Sequence, residues 1–113
     1  MTIIYGIKNC DTVKKARKWL DKAEVDYQYV DFREQGINRP QVTHWVHTLG
    51  WETLVNKRST SWKQLDQTAR ETMDETAAIE AIMVQPTLIK RPLLEHRGAL
   101  SVGFKDADYQ NIF

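Results

Sequence analysis

The chain has 113 residues, 42% of them apolar and 27% charged. That is enough for one domain around a single hydrophobic core, and it excludes a disordered tail or a membrane-embedded bundle. Sixteen Lys and Arg stand against fifteen Asp and Glu, so bulk charge gives no reason to expect direct binding of nucleic acid or of an anionic membrane.

The pattern then divides into short elements. Thr2 to Ile7 reads as a buried strand rich in Ile, broken by Gly6. Lys8 and Asn9 make a loop, and from Asp11 the period changes. Val13, Ala16, Leu20 and Ala23 share one helical face, with Lys14, Lys15, Lys18 and Asp21 off it. Tyr27 to Phe32 is β-rich and completes a β-α-β unit, whose strands are parallel. Glu34 to Asn38 is a loop. Asn38 is an N-cap with Pro40 in the first turn, Val42, Trp45, Val46 and Leu49 follow the helical period, and Gly50 stops the helix. Trp51 to Val55 is another short turn, and Ser61 is the expected cap of a short helix WKQL. Asp74 caps a helix through Ala77, Ala78, Ala81 and Ile82 that ends before Pro86. Pro92 belongs at the start of a strand, because it cannot donate to a central ladder. Leu93–Glu95, a turn at His96, Arg97 and Gly98, and Ala99–Phe104 read as a hairpin, and the last residues as a short helix carrying Tyr109, Ile112 and Phe113 to the core.

The order is β-α-β, a helical insert, then ββ-α. It predicts an α/β, thioredoxin-like fold with a mixed sheet: one domain, 1–113, with its core in 1–35 and 86–113 and an all-helical insertion over about 38–85.

Cys10 is the only cysteine. An internal disulfide is therefore impossible, and a dithiol centre is excluded because Val13 stands where a second thiol would be. The opening TIIYGI lacks the length and flanks of a signal peptide, and no apolar run approaches the ~20 residues that cross a bilayer. A cytoplasmic chain is expected, and a monomer, since no large apolar stripe is left exposed. A lone cysteine is usually a small buried hydrophobe. This one falls at a strand-to-helix junction, where free N–H groups and the helix dipole favour the thiolate. Lys8 and Lys14 add positive charge nearby; Asp11 opposes it. In an open α/β sheet ligands also gather at the carboxyl ends of the strands. A reactive thiol without a partner attacks a disulfide or oxidised substrate and must borrow its second thiol from solution, and glutathione is the abundant candidate. Its carboxylates call for arginine, and Arg58 and Arg91 are the candidates. His44 and His47 have i, i+3 spacing but no third ligand, so no metal is expected. His96 is expected to be exposed in the hairpin turn.

Tyr5-Gly6-Ile7-Lys8-Asn9-Cys10, the Arg58-Ser59-Thr60 loop, and QPTLIKRPLL at 85–94 followed by LSVGF at 100–104 resemble the arsenate reductase (ArsC) family over essentially the whole chain. That family includes the Spx transcription regulators and the YffB proteins; the YGIKNCDT opening and the length are most like YffB. The resemblance implies a cis bond at Arg91-Pro92 and a nucleophilic Cys10. It also implies glutathione as co-substrate, with no tightly bound cofactor and with glutaredoxin as a further partner. Lys8, Asn9, Arg58 and Arg91 are the implied substrate- or glutathione-binding residues. Arsenate reductases of this type use three arginines. Arg91 matches one, Arg58 lies in the loop of another, and Val102 stands in place of the third. Three activities follow as expectations: a glutathione-dependent monothiol reductase, a glutathione- and glutaredoxin-dependent arsenate reductase, and an Spx-like module that docks on RNA polymerase.

Overall fold

Apolar residues of high β propensity put Thr2–Gly6 into strand β1 of the computed structural model, which describes residues 1–113. In chain order the other elements are α1 (Asp11–Lys22), β2 (Gln28–Asp31), α2 (Phe32–Gln35), α3 (Arg39–Leu49), α4 (Trp51–Leu54), α5 (Thr60–Lys63), α6 (Gln67–Glu71) and α7 (Glu75–Val84). A 3-10 turn (Pro86–Leu88), β3 (Leu93–His96), β4 (Ala99–Val102) and α8 (Asp106–Ile112) complete the chain. It forms two compact units, Met1–Gln35 with Arg91–Phe113, and Gly36–Lys90.

In the first unit the sheet runs β2-β1-β3-β4. β1 is parallel to β2 and antiparallel to β3, and β3 to β4. This is the mixed sheet of a thioredoxin-like fold. Val13, Ala16 and Leu20 are the buried residues of α1, as the helical period requires; Ala23 lies past the helix and is exposed. Ala16 and Leu20 join Ile4, Leu94 and Tyr109 in one cluster. Burying a side chain such as Leu20 or Ile4 contributes roughly 1.5–3 kcal/mol. Trp19 ties α1 to α8: its Nε1 donates to Asp106 Oδ1 at 2.7 Å and its ring meets Tyr109 edge-on at 5.5 Å. The Tyr109 hydroxyl is buried without a partner, and burial holds the phenol protonated well above its ordinary range. Phe113, expected on the core, is 38% exposed.

Three local expectations change here. Phe32 does not continue β2; Asp31 turns the chain into α2. Phe104 lies beyond β4, because Gly103 adopts φ 78°, and it packs edge-on against Tyr109 at 4.8 Å. His96 belongs to β3, half-buried, and not to the turn, which uses only Arg97 (φ 51°) and Gly98 (φ 84°), the two positive-φ residues of a type I′ hairpin. His96 Nδ1 lies 2.7 Å from Thr2 Oγ1 and its ring 4.5 Å from that of Phe113. Burial, then the charges of Arg97 and the N-terminus, lower its pKa. A histidine lowered in the folded state binds its proton more tightly unfolded, so stability falls as pH drops through the unfolded value of about 6.5. Between about pH 7 and pH 5 the melting temperature of the natural chain should drop by on the order of 2 °C more than that of His96→Gln; equal drops would show that His96 carries none of this dependence.

The second unit is helical. Asn38 caps α3 by accepting from Gln41 N, Pro40 sits in the first turn, and Gly50 N closes on Val46 O at 2.8 Å. Val42, Trp45 and Val46 are buried on α3, and Ala78 and Ile82 on α7, the helix that Asp74 caps. Arg39 and Glu80 form an ion pair across these helices on the exposed side, where salt screens it, and His47 Nδ1 lies 2.7 Å from Glu75 Oε1. The expected cap at Ser61 is instead Ser59, whose Oγ accepts from Trp62 N; Ser61 is buried inside α5 and bonds Thr87. α6, capped by Asp66 and burying no residue, is an added turn. Lys90 N bonds Leu54 O and Asn56 N bonds Leu88 O, each at 2.8 Å. No helix of the chain is long and apolar enough to cross a membrane.

Candidate functional site

The sheet's register selects one end of the first unit. Gly6 pairs with Asp31, Tyr5 pairs with Leu93, and Leu93 pairs with Val102. The ends of β1, β2 and β4 and the start of β3 therefore meet at the edge where β1 leaves for the loop to Cys10.

Four residues reverse the chain from β1 into α1. Asn9 takes φ 64°, a left-handed conformation that Asn tolerates better than most residues. Cys10 follows as the N-cap, with φ −96° and ψ 119°, and its carbonyl accepts from Lys14 N at 3.0 Å. Cys10 is free and half-buried, and no side chain caps the first N–H groups of α1. Serine, threonine, aspartate and asparagine are the favoured capping residues. A sulfur in their place leaves those donors without a side-chain cap, at the positive end of the helix. α1 can start this close to the sheet because position 6 is glycine: a Cβ there would lie 2.7 Å from Val13 Cγ2. Val13, where a second thiol would stand, is thus spent on packing against Gly6.

Asp31 went unnoticed in the sequence. It is 4% exposed. Its Oδ1 accepts from Arg33 N (2.7 Å) and Glu34 N (3.2 Å), and its Oδ2 from Lys8 N (2.9 Å) and Tyr29 Oη (3.4 Å). Burial alone would raise its pKa; the backbone N–H groups of Arg33, Glu34 and Lys8, with the Tyr29 hydroxyl, outweigh burial and lower it. The signal available in the sequence is an acidic residue closing an apolar strand.

Arg91 precedes Pro92 through a cis peptide bond. Pro92 is buried and its carbonyl accepts from Gly103 N at 2.9 Å. Because Leu93 pairs with Tyr5, Arg91-Pro92 lies at the sheet end that carries the Cys10 loop. Arg91 is half-buried, and its Nη1 is buried with no hydrogen-bond partner. Val102 brings only an aliphatic side chain to that end.

Lys8 Nζ lies 3.8 Å from Glu34 Oε1, both side chains being exposed. Arg17 stacks on the Tyr29 ring at 4.2 Å. With Lys8, Asn9, Lys14, Tyr29 and Asp31 it lines a recess of about 210 Å³ beside the loop. Arg58 belongs to the second unit; it is exposed, and its N–H donates to Asn56 Oδ1 at 3.0 Å in the turn before α5. Trp62, in the same unit, is buried, with Lys57 Nζ 5.8 Å from its ring. His44 is exposed.

The sequence model of the ArsC family matches residues 5–112. The chain belongs to the ArsC family. An uncharacterised protein of Haemophilus influenzae is 42% identical over 113 residues, all of this chain and 99% of its own. A solved YffB protein is 42% identical, covers 98% of this chain with 97% of its own, and superposes with a TM-score of 0.93. The global transcriptional regulator Spx of Streptococcus pyogenes is 26% identical over 108 residues, 94% of this chain and 80% of its own. The match covers the end of β1, the Cys10 loop and the Arg91-Pro92 segment alike.

Proposed function

We propose that this ArsC-family protein is a thiol-disulfide oxidoreductase that works with one cysteine and takes its second thiol from glutathione. The observation that carries this reading is Cys10 as an N-cap whose side chain caps nothing, at the sheet end where Arg91 keeps a buried, unpartnered Nη1. The Cys10 thiolate attacks the glutathione sulfur of a mixed disulfide. A Cys10–glutathione disulfide forms and the substrate leaves as a thiolate, which takes a proton from water. A second glutathione thiolate then attacks the glutathione sulfur on Cys10. Glutathione disulfide leaves and the Cys10 thiolate returns. In sum the mixed disulfide and one glutathione thiol give the substrate thiol and glutathione disulfide: the substrate sulfur is reduced, the incoming glutathione is oxidised, and the glutathione first attached stays at the disulfide level throughout.

Arg91 holds a carboxylate of the tripeptide, for which a guanidinium is suited by its paired donors. Arg58 enters from the resemblance alone, as a cation for the other carboxylate. Tetrahedral arsenate needs several donors, and Val102 supplies none, which favours glutathione over arsenate as the anion served here. The Spx reading loses its redox switch, because Val13 is packed on Gly6.

Arg91→Ala should raise KM for glutathione roughly 10–100-fold, the loss of a charged hydrogen bond of about 1.5–3 kcal/mol, with a smaller change in kcat. The check is steady-state reduction of a glutathione mixed-disulfide peptide; an unchanged KM removes Arg91 from the site, and turnover of arsenate but not of the peptide would favour the arsenate reading.

A further inference from the structure

We propose that Asp31 is the positioning residue for Cys10: its buried carboxylate takes the Lys8 N–H on one oxygen and the start of α2 on the other, and so fixes the loop that sets Cys10 on the N-terminus of α1. The inference rests on the thiolate reading above.

The two oxygens divide the work. Oδ1 accepts from Arg33 N and Glu34 N at 2.7 and 3.2 Å and caps α2. Gln35 Oε1 answers by accepting from Asp31 N at 2.9 Å, a reciprocal arrangement like a capping box. The carboxylate is thereby held in one orientation, with Oδ2 aimed at the loop. There it accepts from Lys8 N at 2.9 Å. Lys8 lies two residues before the thiol. The residue between them, Asn9, is the left-handed turn that sends the chain into α1. A fixed Lys8 N–H and a fixed turn at Asn9 leave the Cys10 Cβ little freedom over the first N–H groups of α1. The outer pair of Lys8 Nζ and Glu34 Oε1 joins the same two segments at 3.8 Å, but it is exposed and contributes little. An ion buried at 4% exposure is costly unless its lone pairs are used, and here every partner belongs to the loop, to α2 or to the neighbouring Tyr29.

Asp31→Asn separates positioning from capping. The amide oxygen can keep the two α2 donors, but the amide NH₂ then meets the Lys8 N–H donor to donor. Backbone amide exchange by NMR should show Lys8 losing protection while Arg33 and Glu34 keep theirs. The rate of Cys10 alkylation by iodoacetamide at pH 7 should fall about fivefold or more, because the sulfur leaves the helix N-terminus. Tyr29→Phe, which removes one donor from Oδ2 and leaves the loop bond, should stay within about twofold of the natural chain. Alkylation equally fast in the natural chain and in Asp31→Asn would overturn the positioning role and leave the thiolate reading standing. Alkylation of the natural chain no faster than that of free glutathione would overturn both. Amide exchange in the natural chain holds even where Asp31→Asn fails to fold: Lys8 N–H should be protected about tenfold or more over Asn9 N–H, and equal exchange would overturn the clamp.

Discussion

Cys10→Ser is expected to be inactive and more stable than the natural chain. Serine presents no anion at neutral pH, so reduction of a glutathione mixed disulfide should fall by at least about 10³-fold. At the same time serine is a favoured N-cap, and the Cys10 side chain caps nothing. Supplying the missing hydrogen bond should add on the order of 0.5–1 kcal/mol to α1, or roughly 2–5 °C in melting temperature. The two effects together separate this account from a plain packing role. A cysteine kept as a small buried hydrophobe would lose stability on replacement by serine and cost no activity. Thermal unfolding and turnover of one variant decide the matter, and a serine variant that is less stable and still active would contradict the account.

The second large effect is expected at Gly6. A methyl group there would lie 2.7 Å from Val13 Cγ2 and 3.0 Å from Cγ1. Val13 is 2% exposed and β-branched on a helix, so its rotamer has little freedom to yield. Overpacking of this kind costs typically 1–3 kcal/mol. The strain falls between β1 and the first turn of α1, on either side of Cys10, so Gly6→Ala should also slow Cys10 alkylation. Val13→Ala removes both offending methyls and should by itself cost roughly 2 kcal/mol from lost burial and a cavity. In the double variant the clash is gone. Its total loss in denaturant unfolding should be smaller than the sum of the two single losses by about 1 kcal/mol or more. Strict additivity would show that Gly6 is not there to admit Val13.

The parts of this molecule legible in its sequence are those with local causes. The helical period of Val13, Ala16 and Leu20 gave α1, and the change of period put Cys10 at its start. Asn38, Pro40 and Gly50 bound α3 through caps that act within four residues. α6 carries no such period because it buries nothing; Asp66 was its only local sign. In NKRSTS three hydroxyl residues compete as caps, and the choice of Ser59 follows from where Trp62 is buried, a tertiary fact. The turn is one residue shorter than its composition suggests, since Arg97 carries no composition cue for its positive φ, and His96 therefore lies in a half-buried strand and not in an exposed turn. The site divides the same way. Cys10 is readable because its setting is local. Asp31 is not: its partners at Lys8 are 23 residues away, and only the pairing of Gly6 with Asp31 brings them together. Arg91-Pro92 joins the Cys10 end through the pairing of Tyr5 with Leu93, which follows from a topology and not from a neighbouring residue.

The central proposal is that the Cys10 sulfur, uncapped at the start of α1, exchanges with glutathione. Its most direct test is the rate at which oxidised glutathione adds to the natural protein at pH 7, followed by intact mass and assigned to Cys10 by peptide mapping. The account predicts one glutathione per chain, added at least about tenfold faster than to free cysteine and removed by reduced glutathione. Addition no faster than to free cysteine, or an adduct that reduced glutathione does not remove, would contradict it.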